Sequence, residues 1–145
     1  MKASFPNKQA WLAGLLLAVV CGAAFAANGP FVNSRSEPHG VLYLNYKMVP
    51  SRIYPVRVWM VDGKLTNRSN QMVVWMKPGD YKLRIKLTKV VNMDYVPGLT
   101  MNKMDAQQMH DLQLKVEAGK SYYIGAKFDA KGAWEPVVWK TEPVK

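Results

Sequence analysis

Three groups of side chains in this 145-residue chain have types and spacing suited to chemistry. The first is Lys82, Arg84 and Lys86, with Lys89 just beyond them. They alternate with Tyr81, Leu83, Ile85 and Leu87, so an extended strand here puts the cations on one face and the apolar side chains on the other. Cations two residues apart stand about 6–7 Å apart along a strand. That spacing meets successive phosphates or carboxylates of an anionic partner. The same pattern arises where a charged face solvates an amphipathic strand and discourages edge-to-edge association.

The second group is Met93, Met101, Met104 and Met109 beside His110. Thioether and imidazole ligands suit Cu(I), and the five converge if residues 92–110 fold back on themselves. Methionine equally fills irregular gaps or makes an adaptable apolar contact surface. The third group is aromatic: Trp59, Trp75, Trp134 and Trp139 with Tyr43, Tyr46, Tyr81, Tyr122 and Tyr123. Rings on a solvent face stack on sugars, whereas rings on an inner face fill a core. Tyr81 and Tyr122 fall in register with core residues, and Trp134 and Trp139 fall on opposite faces of one regular strand.

Nothing assembles a catalytic centre. His39 lies in a loose Pro-His-Gly segment and His110 ends an irregular stretch. Ser34, Ser36, Ser51, Ser69 and Ser121 lie in loops or turns without a strained nucleophile turn. Asp105 and Asp111 flank His110 as helix-end and strand-start residues, and no glycine-rich phosphate loop or metal-ligand spacing appears. The expectation is a non-enzymatic protein with no cofactor.

The first 26 residues read as a cleaved signal peptide. Lys2 and Lys8 precede an apolar run over residues 11–20 that is too short to span a bilayer, and Ala24-Phe25-Ala26 offers small residues for cleavage after Ala26. The alternative is a lipoprotein acylated at Cys21, where Val20 stands in place of a small residue. Cleavage after Ala26 removes the single cysteine of the chain, so the exported protein relies on its core without disulfides. Losing Lys2 and Lys8 lowers the formal net charge of +10 by two. The excess favours acidic partners. For a periplasmic or secreted protein these are an envelope protein, lipid or polysaccharide rather than nucleic acid, and the chain is not expected to be transmembrane.

Strands must position these groups. Residues 27–39 lack periodicity and read as a flexible leader. Strands are expected over 41–48, 56–61, 72–76, 81–91, 112–116, 122–128 and 134–139, separated by Gly, Pro and Asp turns. Asp62-Gly63 is a two-residue hairpin signal. Pro78-Gly79 suits a type II turn joining the third and fourth strands as a central hairpin. Residues 92–110 form an irregular insertion with helical turns over 104–110 behind an N-cap at Asn102. Seven short strands with little helix predict one small antiparallel β-sandwich over residues 40–145.

The elements Val61-Asp62-Gly63-Lys64, Lys77-Pro78-Gly79-Asp80-Tyr81, Val116-Glu117-Ala118-Gly119-Lys120 and Tyr122-Tyr123 form a recurring layout. It resembles the PEGA-type domains and related domains of small bacterial periplasmic proteins and lipoproteins, over about residues 56–128. The PEGA motif itself is absent, and the 92–110 insertion is long for such a unit. The resemblance implies an Ig-like or PEGA-like sandwich used as an envelope accessory or surface-binding module, and it carries no catalytic residues.

Overall fold

A computed structural model describes residues 29–88 and 108–145. The segment read as a signal peptide, with Cys21, together with Lys89, Met93, Met101 and Met104, lies outside the described residues.

The described chain is all-β, with no α-helix and one 3-10 turn at Val49–Ser51. Nine strands follow in order: β1 Gly40–Tyr43, β2 Ile53–Tyr54, β3 Val56–Val61, β4 Lys64–Leu65, β5 Val73–Met76, β6 Gly79–Leu87, β7 Met109–Val116, β8 Lys120–Phe128 and β9 Trp134–Pro143. They make two antiparallel-rich sheets. In sheet I, β9 pairs with the whole length of β8, so β1 and β2 share the opposite edge of β8, and β5 lies beyond β1. Sheet II runs β4-β3-β6-β7. One pair, β1 with β8, is parallel, a departure from a purely antiparallel expectation.

The alternation in β6 does what its sequence requires. Leu83, Ile85 and Leu87 are buried while Lys82 and Arg84 are exposed. The buried three join Val56 and Val58 of β3, Leu42, Val74 and Met76 of sheet I, and Ile124 and Phe128 of β8 in one cluster. Each such aliphatic side chain contributes about 1.5–3 kcal/mol by leaving water. That cluster is what holds the two sheets together.

The Asp62-Gly63 hairpin forms as expected. Val61 faces Lys64 across a two-residue loop, with φ of 49° at Asp62 and 78° at Gly63, the positive pair that a type I′ turn needs. The Pro78-Gly79 corner is different. Its flanking strands do not pair: β5 lies in sheet I and β6 in sheet II. The corner therefore carries the chain across the core instead of closing a central hairpin. Gly79 is nearly extended at φ 158° and already pairs with Val116. The Lys77 amide donates to the Pro30 carbonyl, and the Tyr81 hydroxyl donates to the Lys77 carbonyl. Both bonds hold the corner open to a change of sheet.

Three other boundaries move. Strand β1 ends at Tyr43 rather than 48, because the Leu44 amide bonds Met72 and its carbonyl accepts from Val56, which turns the chain away. Part of the segment read as a leader is structural: Phe31 bridges Met76, and the Val32 amide donates to Trp75 on the outer edge of β5. Val32 is 1% exposed there and covers an edge that would otherwise invite pairing. Met109 and His110, expected to finish helical turns, instead open β7 opposite Lys86 and Ile85. Pairing with β6 satisfies their backbone more fully than a short isolated helix can.

Candidate functional site

The basic row of β6 occupies the outer face of sheet II. Across from it on β7, Gln113 faces Lys82, Asp111 faces Arg84 and Met109 faces Lys86. Register partners on antiparallel strands share a face, so Asp111 points at the row. The Arg84 guanidinium grips it twice, with Nε 2.9 Å from Oδ1 and Nη2 3.3 Å from Oδ2. Lys82 Nζ lies 3.1 Å from Oδ2. The Arg84 hydrogen bonds, and then those from Lys82, lower the Asp111 pKa from 3.8 to about 2. Arg84 is raised in turn, chiefly by its hydrogen bond to Asp111. Lys86 lies over the Trp59 ring, 5.1 Å from its centroid. Two of the three described cations thus share one carboxylate, and the third rests on an aromatic face.

Asp111 is the ion-pair partner of this row, and the sequence pattern alone placed it as a strand-start residue. Once β7 is allowed to begin at Met109, counting back from Leu114 puts Asp111 in the outward set, so the signal lay in the strand's length.

A shallow concavity of about 80 Å³ lies between Met60, Gly63, Lys82, Arg84 and Asp111. A larger open one, about 250 Å³, is lined by residues including His39, Glu37 and Gly119. Small-molecule sites enclose roughly 300–1,000 Å³, so both concavities fall short of that range. The His39 ring nitrogen Nδ1 lies 2.6 Å from the Glu37 carbonyl, and the Ser34 and Ser36 hydroxyls bond each other at 2.7 Å.

Met109 and His110 separate. Met109 shares the outer face with Lys86 and is 42% exposed, whereas His110 shares the inner face with Ile85 and packs edge-on against Trp134 at 4.3 Å. Neighbours on a strand point to opposite sides, so these two cannot reach one ion together. Among the described residues no group of three His, Cys, Asp or Glu side chains gathers for a metal.

The aromatic set divides. Trp134 and Tyr122 are core residues, and Tyr54 packs edge-on against Phe128 inside. Tyr43, Tyr46, Tyr123 and Trp139 cluster on the outer face of sheet I. Tyr43 and Tyr123 are register partners and stack at 4.9 Å, tilted 16°. Tyr46 meets Tyr123 edge-on at 5.0 Å and Trp139 at 5.9 Å. The Tyr123 hydroxyl donates to Glu142, which also pairs with Lys140 at 2.7 Å. That bond, and then burial, raise the Tyr123 pKa. The expected opposition of Trp134 and Trp139 is observed. The concentration of four outward rings was not expected, because it joins β1, β8, β9 and a loop.

Among the described residues, no helix is long and apolar enough to cross a membrane. No family model, curated protein or solved structure matches this chain.

Proposed function

We propose that the chain is a periplasmic or secreted binding protein of the bacterial cell envelope, a β-sandwich of PEGA-like layout that contacts an anionic partner and performs no catalysis. The observation that carries this reading is the row Lys82, Arg84 and Lys86 on the outer face of sheet II, with one carboxylate, Asp111, shared between two of its cations. Asp111 holds the Arg84 fork and the Lys82 ammonium side by side on one face, where both can turn to phosphate or carboxylate oxygens at the cost of its own contact. An incoming anion shares or displaces the Asp111 contact. Binding of this kind is driven by charge and counterion release, and it weakens steeply with salt.

Soluble heparin serves as a polyanionic probe. The parent protein should bind it and lose affinity between about 50 and 200 mM salt. The triple variant Lys82→Gln, Arg84→Gln, Lys86→Gln, checked by circular dichroism for an intact fold, should bind at least about tenfold more weakly. Equal affinity of parent and folded variant, or binding indifferent to salt, overturns the proposal.

A further inference from the structure

We infer that the outer face of sheet I is a second binding surface, a stacking platform for a neutral pyranose chain. This goes beyond the anion-binding reading of sheet II and stands on different residues. An antiparallel-rich sheet commonly turns a polar face to solvent. Here one outward row crosses four strands as Lys140, Tyr123, Tyr43 and Val73, set by the pairings of β9 with β8, β8 with β1, and β1 with β5. Strands about 4.8 Å apart give that row a span of about 14 Å, long enough for a short run of sugar rings. Tyr46 and Trp139 flank it. Tyr46 is 43% exposed and Val73 44%, so the platform offers apolar surface to solvent.

The face is built to hold its rings rigidly. Trp139 lies over Gly125 of β8, where an added Cβ would come within 3.6 Å of the indole and 2.4 Å of Ile53. Ring-on-ring contacts lock Tyr43, Tyr123 and Trp139 in place. Pre-ordered rings lose little entropy on binding. The electron-rich face of the exposed Tyr46 ring, with the half-buried rings of Tyr43 and Trp139 beside it, suits the C–H face of a pyranose, while their polar atoms suit its hydroxyl rim. One such atom is already waiting. The Trp139 indole Nε1 is shielded from solvent without a hydrogen-bond partner among the described residues. An unmet buried donor is costly. A hydroxyl on the rim of a bound sugar is an acceptor for it.

Two further observations select the occupant. Beside the rings stand one paired cation, Lys140 with Glu142, and the exposed apolar side chains of Tyr46 and Val73, in place of a row of cations, so a neutral ligand fits better than an ionic one. The exposed apolar surface amounts to two half-exposed side chains and the rims of their neighbours. A stable interface with a protein or a second copy buries roughly 800 Å² on each side, much more than this.

The test is titration with the neutral tetramer of N-acetylglucosamine, followed by tryptophan fluorescence. Saturable binding that persists from about 50 to 500 mM salt, and weakens about fivefold in Tyr46→Ala, supports the platform. Trp139→Phe, which keeps a ring but removes the donor, should weaken it as well. Tyr46→Ala changes an exposed residue outside the strands, and its thermal unfolding serves as the folding control. The proposal fails if the tetramer does not bind, if Tyr46→Ala binds it equally well, or if Arg84→Gln abolishes the signal. It also fails if sedimentation shows a dimer that Tyr46→Ala dissociates, since the face is then an interface between copies. Heparin affinity, measured alongside, reports on sheet II alone, so the two readings fail separately.

Discussion

The two sheets bury their inner faces in one common cluster, yet their outer faces follow opposite rules. On sheet II the outward side chains are charged, half-exposed and joined by ion pairs that water screens: Lys82, Arg84 and Asp111. On sheet I they are aromatic and joined by ring contacts, with Tyr123 only 8% exposed although it points away from the core. The difference teaches where stability and specificity reside. A screened ion pair at the surface adds little to folding, so the charges of sheet II can be altered at little cost to the fold. The rings of sheet I form a second small cluster that adds to the stability of the fold.

Removing one central side chain from each face gives the sharpest contrast. Tyr123→Ala strips the ring that Tyr43, Tyr46 and Trp139 all touch, and should cost about 3 kcal/mol in urea unfolding. Lys82→Ala removes a side chain that is 51% exposed and should change stability by no more than about 0.5 kcal/mol. Similar losses in both variants would erase the distinction between the faces. A smaller effect is expected at Gly125→Ala. The new methyl meets Ile53 Cγ2 at 2.4 Å and the Tyr54 carbonyl at 3.2 Å, so the side chains above must shift, at about 1–3 kcal/mol. A melting temperature unchanged from the parent would show that this layer is loosely packed.

The next perturbation acts on sheet II alone. Asp111→Asn keeps the shape of the side chain but releases Arg84 and Lys82 from their counter-charge. Heparin affinity should rise about threefold with a steeper salt dependence, while binding of the neutral tetramer stays unchanged. A fall in heparin affinity would mean that Asp111 is needed to shape the row.

The smallest effect concerns acid. Asp111 titrates at about 2 in the folded protein, below its ordinary 3.8. Its contribution is therefore fully present above pH 3.8 and disappears as pH falls through about 2. Glu117, held by Lys120, and Glu142, held first by Lys140 and then by Tyr123, are lowered in the same direction. Thermal melts across this range should show the acid loss of stability, and Asp111→Asn should make it shallower. An identical slope in the variant would assign the loss to the other carboxylates.

The local features were legible because they depend on near neighbours. Alternation separates Lys82, Arg84 and Lys86 from Leu83, Ile85 and Leu87 wherever that strand lies. Asp62-Gly63 makes its turn because those two residues tolerate positive φ. The Pro78-Gly79 corner was not legible. A turn-forming pair says that the chain bends, but not whether the flanking strands then meet or part, and here bonds from Lys77 to Pro30 and from Tyr81 to Lys77 decide it. The structural role of Phe31 and Val32 escaped for a similar reason, since two residues carry no periodicity and gain their place only from the edge of β5.

The amino-acid sequence by itself determined an all-β chain, the inward and outward sides of its longer strands, and a surplus of positive charge. These follow from side-chain period, turn chemistry and composition, which act over a few residues or over none. Tertiary structure alone decided that Asp111 faces Arg84, that Met109 faces Lys86, and that Tyr43 lies on Tyr123 with Trp139 beside them. Each of these depends on register between strands, and register is set by how two sheets bury one shared core.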